Sequence, residues 1–235
     1  MDQIVFQIIL FLSNTVQTIT GFAGTMLAMP FSIRAVGIEE AKAVLNIFTL
    51  LACLIITIQN RKKINYKILV KMIAGMIIGM AAGVWMFNIV SVDILLKLYA
   101  VLVILISVKK MFINKEIQLP EWSMLIVLFC AGVIHGMFLS GGALLVVYAV
   151  TVLKDKDEFR ATIAPVWVVL NTILIFNHYS AGYYIMKNLL AAGVSILPLG
   201  ASLFVGNYLY SRINQNLFLI LTYILLFISG ASLLI

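Results

Sequence analysis

Charge is what this chain has least of: Asp, Glu, Lys and Arg make up only 11% of its 235 residues, against about 25% in an average soluble domain. Hydrophobic residues fill 63% of the positions and mean hydropathy is +1.13. No polar stretch is long enough to fold as a separate soluble domain, so residues 1–235 read as one membrane domain. Cysteine is scarce. Cys53 and Cys130 lie inside apolar segments without metal-ligand spacing and read as small packing residues. His-Glu-x-x-His, Gly-x-Ser-x-Gly and a phosphate-binding loop are missing, so no catalytic residue, metal or cofactor is indicated and no nucleotide drives the protein. Apolar runs also lack acidic pairs: Asp93, Asp155, Asp157 and the glutamates stand at span edges or in loops. Cation pathways normally need intramembrane carboxylates, so the balance leans towards anions.

What is present is a succession of apolar runs near 20 residues long, the mark of a polytopic, all-α membrane protein. Residues 4–35 form an interrupted run, and 41–59 a clean one ending at Asn60-Arg61-Lys62-Lys63. Runs over 68–90 and 93–113 follow, with Lys109, Lys110 and Lys115 marking a polar loop. After Pro120, residues 123–153 form a second interrupted run, closed by Lys154-Asp155-Lys156-Asp157-Glu158. Spans over 160–177, 185–209 and 215–234 complete the set. The N-terminal Met1-Asp2-Gln3 has no basic segment before the first apolar run, so that run is expected to be retained rather than cleaved. The net charge of +7 comes from basic residues between spans, where they set topology, and nucleic acid is not an expected partner.

The two halves are alike under a shift of 118 residues. The shift takes Gly24 to Gly142, Glu40 to Glu158, Lys42 to Arg160, Tyr66 to Tyr184 and Ala74-Gly75 to Ala192-Gly193. A tandem duplication, 1–113 and 119–235, is the expectation. A continuous helix over 4–35 would be about 48 Å long against a hydrocarbon core of about 30 Å. The glycine-rich middle suggests a break and a hairpin; a tilted, kinked single helix is the alternative. A hairpin and three spans give each half an odd number of net crossings, so the second half would be inverted. With the loop of Arg61, Lys62, Lys63 and Lys67 in the cytoplasm, inversion keeps Lys109, Lys110, Lys115, Lys154, Lys156, Arg160 and Arg212 inside and leaves Lys187 outside. Met1 and Ile235 would both be extracytoplasmic.

Candidate site residues cluster at the two breaks. The first amides of each new half-helix, near Gly24-Thr25 and Gly141-Gly142, have no intrahelical acceptor and could bind an anion. Gly21 belongs to the same break, and Thr20, Thr25 and Ser140 add hydroxyl groups. Close helix packing is the competing account of any glycine, and the preferred one for Gly75, Gly79 and Gly83, four apart on one face. Asn14, Gln17, Asn46 and Asn171 either join helices or line a path. His135 is open to proton relay, anion binding or a structural role. Lys42 and Arg160 either draw anions to each mouth or snorkel to the interface.

At these residues the chain resembles the TauE/SafE family of membrane transporters, the sulfite exporters. The resemblance rests on TGFAGTMLAMP (Thr20 to Pro30) and GVIHGMFLSGG (Gly132 to Gly142) and covers almost the whole chain. It implies about eight spans in two halves and the movement of small sulfur-containing anions such as sulfite or organosulfonates. Ala23 interrupts the first glycine run, and Tyr148 stands where the shift would place a partner for Pro30. The expectation is therefore an anion transporter of the bacterial cytoplasmic membrane, working by alternating access. Its expected partners are a small anion, membrane lipid, a coupling proton or sodium ion, and further copies in a homo-oligomer. A membrane scaffold or subunit of a larger complex is the rival reading.

Overall fold

Helices end where glycine, proline and short polar loops leave the backbone without a next rung, and the molecule is built from such endings. The computed structural model describes residues 2–112, 120–153 and 155–212, with 214, 217, 220, 224, 227 and 231 beyond them. The expected span 215–234 therefore lies largely outside the described residues, as do Met1, Lys115, Lys154 and Ile235. All regular structure among the described residues is helical. The first half runs α1 (Asp2–Thr20), α2 (Gly24–Val36), α3 (Ile38–Asn60), a 3-10 turn (Arg61–Lys63), α4 (Tyr66–Ile89) and α5 (Val92–Phe112). The second runs α6 (Glu121–Phe138), α7 (Gly142–Val152), α8 (Lys156–Ser180), α9 (Met186–Val194) and α10 (Ile196–Tyr210). Five stretches among the described residues are long and apolar enough to cross a membrane: Gln3–Thr20, Ile38–Lys63, Tyr66–Ile89, Lys156–Ser180 and Met186–Tyr210.

The interrupted runs are each two helices. Gly21 has φ 82°, a left-handed conformation that glycine adopts freely, and it ends α1. The second arm doubles back on the first: Gln3 at the start of α1 donates to Glu40, just beyond α2, at 2.6 Å. The kinked single helix is thereby set aside for this run. Arm lengths are unequal, about 28 Å for α1 and about 20 Å for α2 at 1.5 Å per residue. The expected single span over 185–209 is also divided, at Ser195. Pro198 has no N–H to offer the carbonyl of Val194, and the Ser195 hydroxyl donates to Ala191 O at 2.7 Å to hold the bend.

Polar contacts define two ends. At one end Glu40 pairs with Lys187 at 2.6 Å, gathering the starts of α1, α3 and α9. At the other, Lys63 pairs with Asp157 at 2.5 Å, and Asn65 donates to Glu158 at 2.8 Å. That end gathers the C-terminus of α3 and the N-termini of α4 and α8, so α3 and α8 pack antiparallel. Arg61, Lys62, Lys63, Lys156, Arg160 and Arg212 share it, and it is called the basic end below. Every described Asp and Glu lies at a helix N-cap or in a first turn, where the helix dipole favours negative charge.

Small residues let backbones approach where lipid offers no hydrophobic drive between helices. A Cβ on Gly79 or Gly83 would run into the backbone of Phe129 and Val133, and one on Gly132 or Gly136 into Met76 and Met80. The packing reading of Gly75, Gly79 and Gly83 holds for this α4–α6 contact. The contact of α1 with α10 uses Gly206 against Thr18, and Asn14 donates to Ser202 at 2.6 Å across it. Ile4, Ile8 and Leu12 on α1, with Leu197 and Phe204 on α10, turn large apolar side chains outward.

Candidate functional site: two helix breaks against the α3–α8 seam

The first break carries its own acceptors. Thr20 Oγ1 accepts from Phe22 N at 3.1 Å and Ala23 N at 3.0 Å, and Gln17 Oε1 accepts from Gly24 N at 2.6 Å. Gln17 Nε2 returns a bond to Gly21 O and another to Cys53 Sγ, both at 3.2 Å. Of the amides expected to be free at Gly24-Thr25, that of Gly24 is therefore taken, as are those of Phe22 and Ala23 before it. Adding a Cβ to Gly24 would bring it 2.6 Å from Gln17 Cβ, so this glycine is also a packing residue.

The second break is built differently. Leu139, the residue that the 118 shift pairs with Gly21, adopts φ 56° and ends α6. A left-handed leucine costs about 1 kcal/mol or more, which its surroundings must offset. They do so from the other break: Thr25 Oγ1 donates to Leu139 O at 2.5 Å. Ala143 N lies 2.9 Å from Met26 Sδ, and a Cβ on Gly142 would sit 2.6 Å from Phe22 O. A Cβ on Gly141 would meet the Ala131 carbonyl. Ser140 donates to Phe138 O at 2.8 Å. The hydroxyls of Thr25 and Ser140, expected as ligand donors, are thus engaged with backbone carbonyls, and Gly141 and Gly142 are close-packed. An alanine at Gly142 would therefore collide with the Phe22 carbonyl.

His135 occupies the position that the shift pairs with Gln17, yet it does not repeat Gln17's bonds. Both its ring nitrogens are buried beside the Asn171 side chain and the Leu139 backbone without a hydrogen bond of regular geometry, and its ring lies 5.0 Å from that of Trp167. Trp167 Nε1 donates to Gly21 O at 2.8 Å, tying α8 to the first break. Asn171, paired by the shift with Cys53, is fully buried and its Nδ2 is unpartnered. Asn46 joins Asn171 to His178. With its carbonyl oxygen towards His178 Nδ1 at 3.2 Å, it donates to Asn171 Oδ1 at 3.1 Å. His178 Nε2 is again buried and unpartnered.

These side chains form one file. Arg160, Trp167, Asn171 and His178 are spaced by 7, 4 and 7 residues, one face of α8, and Lys42, Asn46 and Cys53 make the matching stripe on α3. At the basic end Arg160 is 4% exposed, donates to Asn207 Oδ1 at 2.7 Å and lies 4.3 Å from the Tyr210 ring centroid. Tyr210 in turn donates to Asp157. At the far end Lys42 is 3% exposed, with its ammonium 3.5 Å from the Phe87 ring centroid beside a cavity of about 330 Å³. Lys42 and Arg160 are buried rather than snorkelling at an interface.

Of the residues the sequence singled out, Thr20, Gly21, Gly24, Thr25, Ser140, Gly141 and Gly142 stand at the two breaks, His135 is one turn before Leu139 on α6, and Asn46 lies on α3 against Asn171 and His178. The sequence reading missed His178 and Trp167. The signal for both was the polar stripe on α8. No His, Cys, Asp or Glu cluster suited to a metal occurs among the described residues.

Buried broken helices in an all-helical, multi-pass bundle define a membrane protein of the transporter class. The chain matches the TauE/SafE sulfite exporter family over residues 6–233, and it belongs to that family. No curated protein and no solved structure matches it.

Proposed function

We propose that the protein is a secondary transporter of small sulfur-containing anions in a bacterial cytoplasmic membrane, working by alternating access between two inverted halves. The observation that carries this reading is the file of buried nitrogens beside the breaks. His135 Nδ1 and Nε2, Asn171 Nδ2 and His178 Nε2 lack partners, and no described carboxylate stands among them. Asn171 Nδ2 and one ring nitrogen of His135 are donors; left unpaired in the interior they are costly, and an anion would satisfy them. The substrate lies at the second break on His135 and Asn171, with the Gly141-Gly142 turn as its floor; Thr20, Gly21, Gly24, Thr25 and Ser140 hold the two breaks in register.

Duplication is supported by helix boundaries: α1, α2, α3 and α4 shifted by 118 fall within three residues of α6, α7, α8 and the combined α9–α10. Packing follows suit, since α1 on α10 corresponds to α6 on α4. Inversion is supported by Glu40 and Glu158, equivalent residues at opposite ends. With the basic end in the cytoplasm, the Lys42 cavity faces outward and the contacts of Asp157, Arg160 and Tyr210 close the inner mouth.

The test is flux in proteoliposomes, with sulfite, thiosulfate, sulfonates and carboxylates offered under proton and sodium gradients. Saturable flux of a sulfur anion is expected. If none moves under either gradient, the scaffold reading replaces this one.

A further inference from the structure

Lys42 poses a problem that the breaks do not solve. Its side chain is 3% exposed, its ammonium rests on Phe87 with Tyr183 5.9 Å away, and among the described residues it has no carboxylate partner. An unpaired buried cation is expensive to hold, and an aromatic face offsets only part of that cost. The cavity beside it is lined by Phe87, Asn88, Asn177, Ser180 and Tyr183; Asn88, Asn177 and Tyr183 carry amide and hydroxyl donors on an aromatic wall, while Ser180 gives its hydroxyl to Phe176 O. Tyr183 also packs on His178, ring centroids 5.4 Å apart, and His178 is 1% exposed with Nε2 unpartnered. From His178 the polar file continues through Asn46 to Asn171.

We infer that Lys42 and His178 form an outer anion-binding station, separated by the Tyr183 ring and distinct from the break site. It takes a small oxyanion of the sulfonate type: the Lys42 ammonium balances its charge, and His178, which already gives its Nδ1–H to Asn46, meets it through Nε2 only with a proton taken up alongside the anion. The anion draws the ammonium off Phe87, replaces the cation–π contact with an ion pair, and reaches His178 when Tyr183 turns aside. Asn46 then links this station to His135 and Asn171. The inference rests on the transporter reading for its purpose, though not for its existence.

The experiment places a cysteine at Asn88, on the cavity wall, in a Cys130→Ser background, and follows modification of the full-length purified protein. Two thiol reagents of similar size are compared, the anionic ethylsulfonate and the cationic trimethylammonium methanethiosulfonates. Lys42 should favour the anionic reagent by roughly tenfold or more, a preference that Lys42→Gln removes and Lys42→Arg keeps. Methanesulfonate should slow the modification, and His178→Gln should weaken that protection by about tenfold. A reagent preference unchanged in Lys42→Gln, an absence of methanesulfonate protection, or failure of Asn88→Cys to react with either reagent overturns the station. Protection that depends on Lys42 and His178 in a protein that moves no anion would uphold the station and sink the transport reading instead.

Discussion

Thr25 holds Leu139: the hydroxyl on the first turn of α2 donates to the carbonyl of the left-handed residue that ends α6, at 2.5 Å, 114 positions along the chain. One bond thus couples the two helix breaks. Thr25→Val keeps the side-chain shape, removes the donor and leaves a buried carbonyl unsatisfied. A loss of about 1–3 kcal/mol in stability is expected, with Thr25→Ser restoring most of it. Thermal unfolding in detergent measures both, and an unchanged Tm in Thr25→Val would show that the breaks do not depend on this bond.

The 118-residue shift pairs Gln17 with His135, but only Gln17 bonds to its own break. His135→Gln should give the second break the self-contained bonding of the first. We expect stability to be kept or raised while sulfur-anion flux falls roughly tenfold or more. Loss of both stability and flux would assign His135 a structural role.

Glycines in contact with backbone and glycines in open space should behave oppositely. A Cβ on Gly83 would collide with the Val133 backbone, whereas nothing lies within 4 Å of one on Gly200. Gly83→Ala should cost about 1–3 kcal/mol through overpacking of α4 on α6. Gly200→Ala should be neutral or stabilise by up to about 1 kcal/mol. Equal melting curves for the two variants would contradict the close α4–α6 approach.

Asp157 is shared by Lys63 and Tyr210 across three elements at the basic end. Side-chain exposures of 54% for Lys63 and 32% for Asp157 make that pair worth only about 0–1 kcal/mol. Asp157→Asn should therefore barely change Tm, yet raise the reactivity of a cysteine at Asn207, beside Arg160, by loosening the inner mouth. Reactivity unchanged from the parent protein would remove the closing role assigned to these contacts.

Orientation can be read from two exposed positions at opposite ends, Lys62 and Ala181. An impermeant thiol reagent applied to intact cells should label Ala181→Cys and spare Lys62→Cys if the proposed orientation, with the basic end in the cytoplasm, holds. Reversed labelling would turn the transporter over.

Hydropathy, charge and repetition sufficed for the helical class, most segment boundaries and both breaks, because span length and glycine's backbone freedom act locally. The same local information placed Gly24, Thr25, Ser140 and Gly142 at a site without showing what satisfies them. Whether Thr25 meets a ligand or Leu139, and whether Gly142 faces an anion or Phe22, depends on packing between segments more than a hundred residues apart. The chain alone also gave no reason to separate Gln17 from His135, or to join His178 to Lys42. Those relations exist only once antiparallel α3 and α8 bring their polar stripes together, since a buried donor finds its acceptor through three-dimensional proximity and not through sequence distance.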